Sequence, residues 1–228
     1  TKEGGAFAEI EIAWVGIEAA DALHAAQRQG IVHRDLKPSN IMLQTGPSDS
    51  MRVYVMDFGL ARRLTIDRVG SASGLTVGTQ QYMPPEQAAG EMALIDARSD
   101  VYSLGSTLYH AVTGRMPYRG KTQMEILLRV LKGDFLRPSA VANVPADLEA
   151  IVLKAMESEP RRRYATAREM ASDLQRFLDG DPVLAKPASS VGRLVRAVRR
   201  RPAALAVAIL ALLLAGTALV LTRLVRRE

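Results

Sequence analysis

The chain has 228 residues, of which 48% are hydrophobic and 24% are charged, enough for one globular domain with a buried core. It contains no cysteine, which excludes disulfides and thiolate metal sites. The formal net charge of +6 is concentrated at one end, because residues 186–228 hold nine Lys/Arg and one Glu, whereas residues 1–185 have a net charge of −2. The near-neutral domain argues against nucleic-acid binding, and we expect no nucleic-acid partner.

The spacing of apolar residues predicts an α+β domain that is mainly helical, with a small β element. Gly30 is expected to end the first helix. The second helix is apolar nearly all round, so it should form the core, with Ser99 or Asp100 as its N-cap. Thr166 and Glu169 predict a capping box at the start of the last helix. The predicted helices are 6–29, 100–113, 121–132, 145–156 and 166–178, and the predicted strands are 31–32, 41–43 and 51–56.

The stretch 33–40 reads His-Arg-Asp-Leu-Lys-Pro-Ser-Asn and lies between two of these strands. Asp35 can accept a proton from an incoming hydroxyl, and Lys37 can neutralise charge on a phosphoryl group in transfer. Asn40 can bind a hard cation through its side-chain oxygen. Asp57 follows an apolar run, so it should lie at a strand end that faces the same space. Phosphoryl transfer depends mostly on positioning and charge neutralisation, so these four side chains predict a phosphate-handling site.

This stretch, together with Asp57-Phe58-Gly59, resembles the catalytic loop and the magnesium-binding motif of eukaryotic-type (Hanks-type) Ser/Thr protein kinases. Each residue alone is a common turn residue, so the resemblance rests on the ordered pattern. It implies ATP and Mg²⁺ as cofactors, with Asp35 as the catalytic base assisted by Lys37 and Asn40. Asn40 and Asp57 are the implied metal ligands. The residues implied around the nucleotide are Lys37, Asn40, Met42 and Asp57.

The segment 60–77 is polar, contains Gly and Ser, and shows no periodicity, so we predict a mobile loop. The resemblance implies that this loop belongs to the activation segment of a kinase. Arg34 then corresponds to an arginine that binds a phosphorylated loop, with Thr76 and Ser73 as the first and second candidate phosphosites. Thr79 resembles instead the threonine that contacts the catalytic Asp and Lys. Taken alone, Arg34 is an ordinary surface arginine.

Three further residues are expected to have structural roles. Glu86 ends the motif Pro84-Pro85-Glu86, which has proline at position 84 where the family usually has alanine, in Ala-Pro-Glu. The resemblance pairs Glu86 with Arg163 in a partly buried ion pair, whose loss would leave one charge unpaired. Asp100 is expected first as a helix cap, and the resemblance adds hydrogen bonds to the backbone of the catalytic loop.

The resemblance covers about residues 6–180 and matches only the C-terminal lobe (C-lobe) of the family, so we place this portion of a kinase domain at 1–180. The sequence shows no glycine-rich phosphate loop, no Val-Ala-Ile-Lys strand and no partner glutamate helix. In the family these parts hold the phosphates and cover the adenine. The chain is therefore expected to be a fragment that lacks the N-lobe, and to be weak or inactive alone.

Residues 181–201 are predicted to form a linker and a basic juxtamembrane segment with one apolar face. Residues 202–222 include twenty uncharged residues rich in Leu, Ala and Val, the length of a single transmembrane helix. A short basic tail, 223–228, follows. This order favours a bacterial transmembrane kinase in the cell membrane, with the lipid bilayer as a partner and the kinase domain in the cytoplasm, where ATP is found. Proteins with Ser or Thr are the expected substrates, and a homodimer of the full-length protein is an expected assembly by analogy.

Two other interpretations stay open. A catalytically silent, membrane-tethered scaffold or decoy would explain an incomplete kinase, although it has no use for intact Asp35, Lys37, Asn40 and Asp57. A small-molecule phosphotransferase would also use an Asp base and Asn/Asp metal ligands. Lys37, Thr79 and the long loop that follows Asp57 disfavour this second interpretation.

Overall fold

The structure, a computed structural model, describes residues 9–46, 51–58 and 80–185, all within one compact unit, Thr1–Pro187. The described parts are mainly helical, with one small sheet and short 3₁₀ turns between the longer elements. The helices and strands are α1 (Glu9–Gln27), β1 (Ile41–Thr45), β2 (Met51–Val55), α2 (Pro85–Ala88), α3 (Ala97–Thr113), α4 (Gln123–Lys132), α5 (Ala146–Ala155) and α6 (Ala167–Asp179).

Helix α3 forms the core, as its all-round apolar sequence predicts. Every residue from 99 to 109 is buried, and α1, α5 and α6 pack around the helix. Where α3 meets α5 it carries Gly105, at which an added Cβ would lie 2.7 Å from the Cβ of Ala155. Glycine therefore lets the two helices approach each other closely.

The start of α3 differs from the prediction. Asp96, not Ser99 or Asp100, is the N-cap: its carboxylate accepts the N–H of Arg98 at 2.8 Å, and the Ser99 hydroxyl accepts the N–H of Asp96 at 3.3 Å. The helix starts earlier because the Asp100 carboxylate is bound elsewhere, to the catalytic loop. By contrast, Thr166 caps α6 as predicted, since its hydroxyl accepts the N–H of Glu169 at 3.2 Å. The Glu169 half of the predicted capping box differs, because this carboxylate accepts the N–H of Ala165, at 3.0 Å, instead of that of Thr166.

The small sheet is an antiparallel pair of strands, β1 and β2, with Ile41 opposite Val55 and Thr45 opposite Met51. The strand predicted at 31–32 is wrong. The N–H of Ile31 instead donates to the carbonyl of Ala26 at 3.0 Å, which closes the C-terminus of α1, and Gly30 adopts φ +70° there. A two-residue apolar run with no neighbouring strand to pair with cannot form a ladder.

No helix within residues 9–46, 51–58 and 80–185 has both the length and the apolar composition needed to cross a membrane. The predicted basic segment, the span 202–222 and the tail 223–228 lie outside the described residues. The first residues of the predicted linker, up to 185, are described and pack against the domain.

Candidate active site

The β1–β2 hairpin brings the two ends of the phosphate-handling motif together. Asn40 immediately precedes β1, and Asp57 lies two residues after β2. The pairing continues one step beyond the strands, because the N–H of Met56 donates to the carbonyl of Asn40 at 2.9 Å. Asp57 is therefore one residue beyond the partner of Asn40, so the predicted neighbourhood of these two side chains follows from strand register.

His33, which the sequence analysis did not single out, joins the catalytic loop to this hairpin. Its ring is fully buried, with Nε2 2.8 Å from the carbonyl of Met56 and Nδ1 3.3 Å from the N–H of Asp35. A carbonyl can only accept and an N–H can only donate, so these two contacts fit the tautomer that carries its proton on Nε2. Its ring also lies 4.8 Å from that of Phe58. In the sequence, the signal that could have identified His33 was its position two residues before the predicted base, Asp35.

Asp100 fixes the turn that presents the predicted catalytic base. Its carboxylate, 1% exposed, accepts the N–H of His33 at 2.9 Å and the N–H of Arg34 at 3.0 Å. Burial raises the pKa of the Asp100 carboxyl, although both hydrogen bonds act in the opposite direction. Arg34 adopts φ +68°, a left-handed conformation that non-glycine residues rarely take. The Gln87 amide holds the same residue by donating to its carbonyl at 3.0 Å.

The predicted base and the predicted phosphate-neutralising lysine are in direct contact. Lys37 Nζ lies 2.9 Å from Asp35 Oδ2, and both side chains are partly exposed. The other carboxylate oxygen, Asp35 Oδ1, has no hydrogen-bond partner within the described part of the chain. Oδ1 is shielded from solvent, whereas the Asp35 side chain as a whole is partly exposed. A carboxylate oxygen can accept more than one donor, so this group can still receive a hydroxyl proton.

The residues predicted to hold a metal fit that role. Asn40 is 5% exposed and its Nδ2 donates to the carbonyl of Asp35 at 2.8 Å. Its Oδ1 accepts only a long hydrogen bond from the Ser39 hydroxyl, at 3.4 Å, within the described residues, so this oxygen is the one that could bind a cation. Asp57 is exposed and adopts φ +64°. No cluster of three or more His, Cys, Asp or Glu that would hold a metal occurs in the described residues. Mg²⁺ fits such a pair, because it commonly binds through one or two protein ligands plus substrate phosphates and water.

The remaining predicted site residues divide into described and undescribed ones. Met42, on β1, is 42% exposed next to this motif, so its side chain is accessible to a ligand. Residues 59–79, which include the predicted loop at 60–77, lie outside the described residues. The candidate phosphosites Thr76 and Ser73, and the contact expected of Thr79, therefore stay predictions.

The predicted ion pair between Glu86 and Arg163 is present and is more completely satisfied than the sequence suggests. The guanidinium binds both carboxylate oxygens at 2.7 Å, and its other three N–H groups donate to backbone carbonyls. Ser99 also donates to the carboxylate at 2.7 Å, and the guanidinium lies 4.7 Å from the ring centroid of Tyr102. Burial alone would raise the pKa of Glu86, but the hydrogen bonds and charge of Arg163 bring it below its ordinary value.

Comparisons with known proteins agree with this geometry. Residues 1–174 match the protein kinase domain family. The chain is 44% identical over 168 residues to serine/threonine-protein kinase PknB of Mycobacterium tuberculosis, covering 72% of this chain and 26% of that protein. It is 40% identical over 185 residues to a probable serine/threonine-protein kinase PknB of Corynebacterium glutamicum, covering 77% and 27%. The chain thus spans about a quarter of the length of these curated relatives.

A solved structure supports the fold independently. The crystal structure of Rad53 1–466 in complex with AMP-PNP superimposes with a TM-score of 0.58 at 24% identity, covering 74% of this chain and 40% of that one. At this level of identity the likeness shows the fold alone. With the family match over most of the chain and relatives above 40% identity, the chain belongs to the protein kinase domain family.

Proposed function

We propose that this chain is the catalytic C-terminal portion of a Ser/Thr protein kinase, which transfers the γ-phosphate of Mg·ATP to Ser or Thr hydroxyls of proteins. The observation that carries the proposal is the connected loop geometry: Asp35 contacts Lys37, its carbonyl binds the Asn40 amide, and strand register brings Asp57 next to Asn40. Family membership and the kinase relatives support the same activity.

Each side chain has a defined task in this proposal. The Asp35 carboxylate accepts the proton of the substrate hydroxyl, while Lys37, 2.9 Å from Oδ2, adds positive charge beside the transferred group. Asn40 Oδ1 and the Asp57 carboxylate hold the metal. Bound Mg²⁺ supplies charge neutralisation at the phosphates. The two buried bonds of Asp100 keep the backbone before Asp35 in place, so the base need not reorganise during the reaction.

The proposal extends to the setting of the full-length protein. The segment after 185 is proposed to lead through a basic juxtamembrane stretch into a single transmembrane helix at 202–222, with the kinase domain on the cytoplasmic side. The supporting observation is the sequence, in which twenty uncharged residues follow a basic stretch. The N-lobe is proposed to be supplied by the full-length protein, and pairing of two full-length copies is the proposed assembly.

The test restores the missing lobe. The N-lobe of the M. tuberculosis PknB relative is fused before Thr1 of the 228-residue chain, and transfer from γ-labelled Mg·ATP to a generic basic protein is measured, followed by phosphoamino-acid analysis. We expect phosphoserine or phosphothreonine. Asp35→Asn should lower the rate by about 10²–10⁴-fold, because the general base is lost. Asp57→Asn should raise the Mg²⁺ concentration required.

The matched control is Asp134→Asn, at an exposed aspartate that only approaches Arg129 at 3.8 Å, and it should leave the rate unchanged. An equal rate in Asp35→Asn would overturn the assigned base. A folded fusion with no transfer in any variant would favour the scaffold. Transfer to sugars or aminoglycosides, with none to protein, would favour a small-molecule phosphotransferase.

A further inference from the structure

Asp173, in the middle of α6, is a fully buried carboxylate with no role in the proposed chemistry. It accepts three hydrogen bonds: from the Tyr164 hydroxyl at 2.7 Å, from the N–H of Leu184 at 2.6 Å and from the N–H of Ala185 at 2.8 Å. All three donors are neutral. A buried carboxylate without such donors would be strongly destabilising, so the site depends on keeping them.

Two of these three donors come from the segment that leaves the domain after α6. In this exit segment, residues 183–185, Val183 is partly buried against the core, Leu184 is 64% exposed and Ala185 is 1% exposed. This alternation is typical of an extended chain that lies on the domain, with Val183 and Ala185 facing the domain and Leu184 facing solvent. If the exit segment left the domain, Asp173 would lose two of three partners at once, so docking should be an all-or-none event.

The third donor connects this carboxylate to the catalytic half of the domain. Tyr164 is 2% exposed and directly follows Arg163, whose guanidinium binds Glu86. The Lys154 ammonium lies 4.0 Å from the centroid of the Tyr164 ring. Burial raises the pKa of Tyr164, and its bond to Asp173 acts in the same direction, so the hydroxyl stays a donor. Gln87, next to Glu86, then binds the carbonyl of Arg34.

We propose that residues 183–185 form a latch that Asp173 holds in place. Through this latch, the chain that leaves the kinase domain controls how firmly the Glu86–Arg163 pair and the turn at Arg34 are held in one conformation. The path consists of direct contacts of 2.6–3.0 Å joined by adjacent residues. A partner or a force acting on the chain after residue 185 would release the latch, and the loss of order would pass to the catalytic loop. The proposal does not depend on kinase activity, because the order of the backbone can be measured without nucleotide.

The test uses hydrogen exchange on the full chain with two substitutions at one exposed position. Leu184→Pro removes the N–H that binds Asp173, whereas Leu184→Ala keeps this N–H and shortens an exposed side chain. We expect Leu184→Pro to speed amide exchange at Ala185 and across 161–165 by about tenfold or more, since hydrogen bonds to a charged acceptor are strong. Exchange at His33 and Arg34 should rise by a smaller factor. Leu184→Ala should leave these rates within about twofold.

Helix α4 contacts neither Asp173 nor Tyr164 through a hydrogen bond and serves as the internal reference, with unchanged exchange in both variants. Asp173→Asn is the second variant, which should reproduce the Leu184→Pro pattern if it folds. Faster exchange confined to residues 183–185 in Leu184→Pro would overturn the coupling. Equal effects of proline and alanine would overturn the role of the N–H.

Discussion

Two carboxylate–cation pairs in this domain differ in how completely the protein satisfies them. The Asp35–Lys37 pair is partly exposed, at 27% and 20% of each side chain, and joins through one contact of 2.9 Å. The Glu86–Arg163 pair is 2% and 0% exposed, and all five guanidinium N–H groups have partners. Within the described residues the first pair keeps one carboxylate oxygen without a hydrogen-bond partner, whereas every guanidinium N–H of the second pair is bound. The second pair holds the domain together, and the first is the pair that we propose to react.

The backbone shows the same division. Among the described residues, the non-glycine positions with positive φ are Arg34 and Asp57, which flank the reactive pair in the fold. Neither Glu86 nor Arg163 has such a conformation. Strained conformations persist where surrounding contacts impose them, and here Asp100 and Gln87 hold Arg34 in place. Substitutions at the two sites should therefore change different properties.

The largest effect on stability is expected from Arg163→Ala. It leaves the Glu86 carboxylate buried without its cation and should lower the free energy of unfolding by about 3–5 kcal/mol. The free energy of unfolding of Arg163→Lys should lie between those of the natural chain and of Arg163→Ala, because an ammonium has three donors rather than five. Urea denaturation of the full chain measures both. Arg162→Ala, at an exposed arginine paired with Glu159, is the control and should cost less than about 1 kcal/mol. Similar losses at 162 and 163 would contradict the comparison.

The buried pair should also set the acid sensitivity of the domain. The pKa of Glu86 lies below its ordinary 4.5 in the folded state, because Arg163 outweighs burial. A carboxyl with a lowered folded-state pKa binds more protons when unfolded, so its contribution is present above pH 4.5 and is lost as the pH falls through the folded value. Melting temperatures between pH 3 and 7 should therefore fall less steeply toward acid in Glu86→Gln than in the natural chain.

The control for this pH dependence is Glu125→Gln. The pKa of Glu125 is also lowered, first by the backbone N–H of Lys121 and then by Arg129, but this side chain is exposed on α4. Solvent and salt screen its interaction, so removing it should change the acid slope little. If Glu125→Gln flattened the curve as much as Glu86→Gln, burial would not be the deciding factor.

The sequence predicted local contacts better than distant ones, for physical reasons. Strand periodicity and the order of polar residues were enough to place Asp35, Asn40 and Asp57 near one another, because the sheet is local and its register is short. The N-cap of α3 was predicted wrongly, since Asp100 looks like a cap in sequence but bonds to backbone 66 and 67 residues away. Those bonds were predicted only by the family resemblance, and they are present. His33 and Gln87 were missed for the same reason: their partners are distant in sequence, and no local pattern encodes such contacts.

A smaller effect is expected from Asp35→Asn, this time on stability rather than on rate. The pair is partly exposed and Asp35 Oδ1 has no hydrogen-bond partner among the residues that the structure describes, so the free energy of unfolding should change by less than about 1 kcal/mol. Thermal and urea denaturation of the full chain measure it. A loss as large as that of Arg163→Ala would mean that the reactive pair also holds the fold. A near-neutral variant that abolishes phosphoryl transfer in the N-lobe fusion would separate the two roles.

The smallest effect concerns the backbone at Arg34, where glycine and alanine can be compared directly. A left-handed conformation costs an L-residue about 1–2 kcal/mol, whereas glycine adopts it freely. Glycine also destabilises folding by about 0.5–1 kcal/mol through its larger freedom in the unfolded chain. Arg34→Gly should therefore be more stable than Arg34→Ala by up to about 1 kcal/mol, measured by urea denaturation of both variants.

Both variants lose the Arg34 side chain, so their difference reports the backbone alone. The N–H and carbonyl of residue 34 keep their bonds to Asp100 and Gln87 in either case, which should maintain φ near +68°. An alanine variant as stable as the glycine one would mean that the turn relaxes when the side chain is removed, and the strain would then belong to the side chain. A clear advantage for glycine would instead show that the turn at residue 34 retains a backbone conformation that costs stability.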